Sequence, residues 1–262
     1  MVDSDREDVV ATTGLTGPFP SAALILCEHA SNRFPAKFGD LGLSDEAKIS
    51  HAAWDPGALA LATGMARHLR APLVAATVSR LIYDCNRPPE AADAVPATSE
   101  RFDIPGNRDL SPADRAARAR AVYEPFSAEV SRVLDLARPQ ALVTIHTFTP
   151  VYFGQSREVE IGILHDSDTR LADLVLDATT GGPWKVMRNQ PYGPADGVTH
   201  SLRKHALARG LANVMIEVRN DLVADAAGLA AIGAFLNDAV QRALATRRDE
   251  ASAAMHGTDG AA

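Results

Sequence analysis

The sequence predicts an α/β fold: a mixed, largely parallel sheet sandwiched by helices. Apolar runs of strand length recur along the chain, amphipathic stretches of helical period lie between them, and a composition of 46% hydrophobic and 23% charged residues over 262 positions suits one globular unit. The strand runs fall at Ala22–Cys27, Leu73–Val78, Ala141–Ile145, Val159–Leu164 and Ala212–Val218, most of them rich in Val, Ile or Leu. Short continuous apolar runs of this kind read as central strands.

The helical patterns follow in order. The first covers Pro56–Leu69. A long helix is expected over Ser111–Leu136, where Ser111 supplies an N-cap, Pro112 a first-turn proline, and Val122, Phe126, Val130 and Val133 follow at helical spacing. Shorter patterns cover Asp168–Asp177 and Thr199–Arg209, and a last amphipathic run puts Leu229, Ile232, Leu236, Val240 and Leu244 on one face. Between Arg87 and Pro112 the chain is rich in Pro, Ala, Asp and Arg without periodicity, so residues 88–111 read as a long loop of the kind that often covers a site. Residues 1–21 are expected to be a flexible N-terminal segment, 22–246 a single domain, and 247–262 a small, polar tail that frays.

Lys and Arg total 26 against 33 Asp and Glu, a net charge of −7, so there is no basic excess to hold a nucleic acid or an anionic membrane. A small-molecule partner is expected instead. The first residues carry acidic groups and lack the apolar run of a secretory signal, and no stretch of 18 apolar residues occurs, which predicts a cytoplasmic protein. Cys27 and Cys85 lie in apolar stretches and read as reduced thiols, not as a disulfide framework.

The chemistry-bearing residues gather at strand ends. His29 follows the first strand run and His146 follows the third, and ligands of open α/β sheets bind beyond the carboxyl ends of strands. Two imidazoles delivered there from different strands are candidate metal ligands. Glu217, between Ile216 and Val218, places a carboxylate in an apolar strand, where it is costly unless paired, metal-bound or protonated. The alternatives are a catalytic group and a buried ion pair with Arg219 or Arg80. The segment SRLIYDCNRP adds Arg80, Asp84, Asn86 and Arg87, and two guanidinium groups there suit an anion or a developing oxyanion, unless they neutralise Asp84 and neighbouring acids. His200, at the start of a helical pattern, is a candidate substrate contact.

Six motifs occur in order: EHASNRFP, HAAWDPGA, SRLIYDCNRP, TIHTFTP, NQPYGPADGVTH and MIEVRNDL. Together they resemble the N-formylglutamate amidohydrolase family over about Ala22 to Val240, and the arrangement is similar to the wider zinc carboxypeptidase and aspartoacylase group. The resemblance implies a zinc-carboxypeptidase-like (phosphorylase/hydrolase-like) fold and Zn2+ held by His29, His146 and a carboxylate. It further implies Glu217 as the group acting on water, Arg80 at the oxyanion, and Asn86 with Arg87 on a substrate carboxylate. One departure matters: the His-x-x-Glu pattern of the carboxypeptidases here reads His29, Ala30, Ser31, Asn32. Asp55 takes the place of the third ligand in this reading, because carboxylate oxygen is a normal zinc donor. Asp55 before Pro56 is also the pattern of a helix N-cap, and Asn32, Glu28 and His51 are the other candidates. The activity expected is hydrolysis of N-formyl-L-glutamate to formate and glutamate; the rivals are a deacylase of another N-acyl amino acid and an amino-acid-binding module without catalysis.

Overall fold

A computed structural model describes residues 8–16 and 20–257. The strands are β1 (Val10–Thr13), β2 (Leu24–Cys27), β3 (Leu73–Ala76), β4 (Thr98–Ser99), β5 (Phe102–Asp103), β6 (Ala141–Phe148), β7 (Val151–Tyr152), β8 (Gln155–Ser156), β9 (Ile161–Leu164), β10 (Val186–Arg188) and β11 (Ala212–Arg219). The principal helices are α1 (Asp45–Ile49), α2 (Ala58–Leu69), α3 (Pro112–Arg118), α4 (Glu124–Ala137), α5 (Arg170–Thr179) and α6 (Ala226–Gly257). Seven strands form one sheet in the order β1-β3-β2-β6-β11-β9-β10. The pairs β2/β3, β2/β6, β6/β11 and β9/β10 are parallel, whereas β1/β3 and β9/β11 are antiparallel.

Helices cover both faces, which is why the central strands read as continuous apolar runs. Period-two alternation divides β2 between the layers: Leu24 and Leu26 pack with Val130 and Val133 of α4, while Ile25 and Cys27 pack with α2. The same parity on β11 sends Val214, Ile216 and Val218 towards α5 and α6 and turns Met215 to the α4 layer. Glu217 shares the face of Met215. Among the described residues no helix is long and apolar enough to cross a membrane.

The structure departs from the sequence expectation in several places. The expected long helix is interrupted by a π-helical turn at Ala119–Tyr123, because Pro125 lacks the amide that an unbroken α-helix would use there. Its start is as expected, with Ser111 and Asp114 forming a reciprocal capping box. The Thr199–Arg209 pattern forms a short π-helical turn, Leu202–Ala206, followed by a 3-10 turn. Within the expected flexible N-terminal segment, Val10–Thr13 forms edge strand β1, held by pairing with β3. At the other end α6 runs to Gly257, past residue 247 where the fraying tail was expected; Ala-rich sequence of high helix propensity sustains it. Residues 88–111 are an ordered loop carrying the β4–β5 hairpin. Arg115 donates to the carbonyls of Ala91, Ala92 and Val95, and Arg118 donates to Gly106 and Asn107.

Candidate active site

The parallel pairing of β6 with β11 sets His146 directly opposite Glu217 near the carboxyl ends of both strands. β6 is longer than the sequence suggests, so His146 lies inside the strand and not after it. His29 follows β2, the other neighbour of β6, and the Asp55 amide donates to the His29 carbonyl at 3.0 Å, which draws the α2 entry to the same point. At β9 the partner of Glu217 is Gly162, where a Cβ would lie 1.9 Å from the Gln190 carbonyl. Only a glycine lets the backbone after β10 cross so closely, and that crossing carries Tyr192 to the cavity.

Three atoms converge. Asp55 Oδ2 lies 3.2 Å from His29 Nδ1 and 3.0 Å from His146 Nδ1, and the two Nδ1 atoms are 3.2 Å apart. Donors bound to one tetrahedral ion at zinc distances stand roughly 3.3 Å apart. The far nitrogen of each ring meets another acid: His29 Nε2 lies 2.7 Å from Asp84 Oδ1, and His146 Nε2 lies 3.1 Å from Glu28 Oε2. The first is an aligned hydrogen bond, while the second is a charge contact whose angle falls short of one. In the neutral tautomer that keeps its proton on Nε2, towards Asp84 or Glu28, each ring would turn its Nδ1 lone pair inward. Two lone pairs and a carboxylate oxygen then face one point, an arrangement that calls for a cation. The residues present therefore fit a divalent metal.

The electrostatics favour positive charge as well. Burial and Arg80 oppose protonation of His29, yet Asp84 and Asp55 raise its affinity for a proton. Burial likewise opposes charge on His146, but Glu28 and Asp55 carry it well above the ordinary imidazole value. Against the cost of burial, the two imidazoles hold the Asp55 carboxyl far below the carboxylate range. Glu217 behaves oppositely: burial pushes its carboxyl up to about 7 despite the pull of His146. Its Oε2 is buried with no hydrogen-bond partner among the described residues, and no ion pair engages it there. Arg219 pairs instead with Asp221 and Glu160, and Arg80 with Asp84 and Asp55, so the ion-pair alternative for Glu217 is not what the structure adopts.

His29, Asp55, Arg80, His146 and Glu217 line a cavity of about 370 Å³. A larger groove of about 830 Å³ runs along β1, β3 and α2 but contains none of them. Asp55 is not a helix cap: Gly57 occupies the cap position of α2, and the Asp55 side chain also accepts from the Thr147 amide. Arg80 reaches the cavity with its guanidinium held by Asp84 at 2.6 Å and Asp55 at 3.4 Å. The Asn86 amide is engaged at both ends, accepting from the Ser201 N–H and donating to the Val198 carbonyl. Arg87 donates to Asp93 and to the carbonyls of Gly197 and Asn86. Both residues line the cavity while fastening the 196–201 segment.

His200 lies outside the cavity lining, 2.8 Å from the Tyr123 hydroxyl, and burial with help from Lys204 lowers its pKa to about 4. Of the alternative ligands, Asn32 donates to the Lys48 carbonyl, Glu28 stands behind His146, and His51 forms part of the cavity wall 2.9 Å from Glu100. Both cysteines are buried, and burial followed by nearby acids pushes each thiol well up, which leaves them unsuited to nucleophilic chemistry. Sequence reasoning did not assign Asp84 and Glu28 to the far nitrogens; their signal was an acid within each histidine-bearing or arginine-bearing motif.

A mostly parallel sheet with acids and imidazoles gathered at strand ends defines an α/β protein with a candidate metal centre beyond the carboxyl ends of its strands. The N-formylglutamate amidohydrolase family model matches residues 21–224, and the chain belongs to that family. Among solved structures, a gene product of Agrobacterium tumefaciens is 51% identical with a TM-score of 0.88, covering 92% of this chain and 97% of that one. An N-formylglutamate amidohydrolase from Ralstonia eutropha is 18% identical with a TM-score of 0.67, covering 92% and 98%, and shares the fold. No curated protein sequence matches the chain.

Proposed function

We propose that this chain is a zinc-dependent amidohydrolase that splits N-formyl amino acids, with N-formyl-L-glutamate yielding formate and glutamate. Family membership supports amide hydrolysis of this type. The observation that carries the metal-dependent reading is the convergence of His29 Nδ1, His146 Nδ1 and Asp55 Oδ2 beside a buried carboxyl with an unpartnered oxygen. Zinc held by those three atoms would supply polarisation of the amide carbonyl and a more acidic water.

The chain's own residues do the rest. Glu217, with a pKa near 7, accepts the proton of the attacking water and returns it to the departing amine. Arg80, oriented by Asp84, faces the oxygen on which negative charge develops. Asn86 pins the segment that follows Asp196, and the Arg87 guanidinium is presented to the substrate carboxylate from that anchored position. Purified protein assayed for zinc content and for formate release from N-formyl-L-glutamate tests the reading. Stoichiometric zinc with formate release is expected; zinc-loaded protein inert towards every amide would overturn it.

A further inference from the structure

A different acid backs each imidazole of the triad, Asp84 behind His29 and Glu28 behind His146. Asp84 is engaged at both oxygens. Its Oδ1 meets the His29 ring at 2.7 Å and accepts from the Asn86 backbone N–H at 2.9 Å, while Oδ2 accepts from Arg80. The Asn86 side chain then reaches a segment remote in sequence: its Oδ1 accepts from the Ser201 N–H at 2.9 Å and its Nδ2 donates to the Val198 carbonyl at 2.5 Å. One short stretch of chain thus holds the acid behind His29 with its backbone and the 198–201 backbone with its amide.

Ser201 stands behind the other histidine. It leads into the turn Leu202–Ala206, which packs on β6 and β11, the strands that carry His146 and Glu217. Its buried hydroxyl faces the Glu28 carboxylate. That hydroxyl and both Glu28 oxygens have no aligned hydrogen bond among the described residues, so each is left to the other and to His146. A buried carboxylate needs such donors. Against the cost of burial, His146 and then the Ser201 hydroxyl hold the Glu28 carboxyl below its ordinary value.

From His29 through Asp84, Asn86, Ser201 and Glu28 to His146, the contacts run without a break. On the inner side Asp55 Oδ2 joins the two rings and closes the circuit. We infer that Asn86 and Ser201 are positioning residues of the metal centre: they tie the acid behind one imidazole to the acid behind the other, so that both ligand rings are oriented as one unit. The inference rests on the metal-dependent reading proposed above. It gives the Asn86 side chain a role beside the substrate contact that the family resemblance implies, and it gives Ser201 one that the sequence motifs did not.

Separate orienters and a single unit differ in how their losses combine, because independent changes add in free energy whereas members of one network are coupled. No hydrogen bond or ion pair joins Asp84 to Ser201 among the described residues, so coupling between them passes through Asn86. Zinc competition with a chromophoric chelator measures it on the wild type, on Asn86→Ala, Asp84→Asn, Glu28→Gln and Ser201→Ala, and on Ser201→Ala combined with each acid variant. Asn86→Ala opens the circuit at its middle and should weaken zinc binding about 10–100-fold, as loss of an outer partner does. Ser201→Ala acts at one remove and should cost about fivefold, no more than Glu28→Gln; it also covers the case in which the Asn86 variant does not fold. In the Glu28→Gln protein the serine change should cost less than about twofold, and in the Asp84→Asn protein less than about half its wild-type factor. A merely structural serine would lower the Tm of the metal-free protein and leave the zinc affinity of the folded protein as it was. Undiminished affinity in Ser201→Ala, or a loss that multiplies in full with that of Asp84→Asn, overturns the inference and leaves the metal reading standing. Wild-type protein that takes up no zinc is a different outcome: it removes the metal reading itself, and the role of the circuit with it.

Discussion

Glu217 and His146 are register partners on adjacent parallel strands, both turned to the same face of the sheet. One carries a carboxyl raised to about 7 and the other an imidazole whose outward nitrogen meets Glu28. Because strand pairing fixes their relation, the spacing between the proton-transferring group and one member of the converging triad is set by the sheet itself. The rigidity of a central, doubly covered sheet is what a site needs to hold such groups in place.

The triad makes the first prediction. His29→Ala, His146→Ala and Asp55→Ala should each lose zinc on dialysis, since each removes one of three protein donors. In the wild type, chelation should lower Tm, because a metal that binds only the folded state stabilises it. An Asp55→Ala protein with full zinc content and only a lower Tm would contradict the assignment.

Asp84 and Glu28 give the second. Asp84→Asn keeps the shape but removes the charge that orients His29 and Arg80, and losses of about 10–100-fold in metal affinity are typical when such partners are changed. Glu28→Gln should have a smaller effect, because its contact with His146 is not an aligned hydrogen bond. Zinc competition with a chromophoric chelator measures both; undiminished affinity in Asp84→Asn would show that the His29 ring is oriented without it.

Much of this site was legible because its carriers are buried on both faces. β6 and β11 read as apolar runs, so the polar residues His146 and Glu217 stood out within or beside them. What was not legible depended on pairings remote in sequence. Asp84 meets His29 across 55 residues, and Asn86 meets Val198 across 112, and no local pattern predicts which acid faces which ring. Asp55 before Pro56 carried two local meanings, and only its approach to both imidazoles separates them. β1 was missed because four residues form a strand there only by pairing with the edge of the sheet.

The two arginines should separate kinetically. Arg80→Lys is expected to lower kcat, because the lost fork serves charge that develops only as the reaction proceeds. Arg87→Lys is expected to raise KM for a carboxylate-bearing substrate and also to lower Tm, because the lysine cannot replace the contacts to Asp93 and the Gly197 carbonyl together. Equal changes in KM alone for both variants would contradict the division of roles.

Glu217→Gln keeps the shape of the side chain and removes its titration. Turnover should fall about 100–10,000-fold, the range typical of general acid–base assistance, with zinc still bound. Stability supplies an independent reading in the metal-free protein. The folded carboxyl titrates near 7, above its ordinary value of 4.5, so between those pH values the unfolded state releases the proton first. Wild-type stability should therefore fall across that window by an amount on the order of a few kcal/mol, with the loss complete above pH 7. The glutamine variant should lack this component, so the difference in Tm between variant and wild type should grow in the variant's favour as pH rises from 4.5 to 7. Metal binding brings positive charge near Glu217 and lowers its pKa, which places the ascending limb of kcat/KM in the loaded enzyme below pH 7. A buried ion pair at Glu217 makes the opposite prediction: the variant would lose Tm most where the carboxylate is charged. A zinc-loaded, folded Glu217→Gln protein with near-normal turnover would remove the residue from the chemistry.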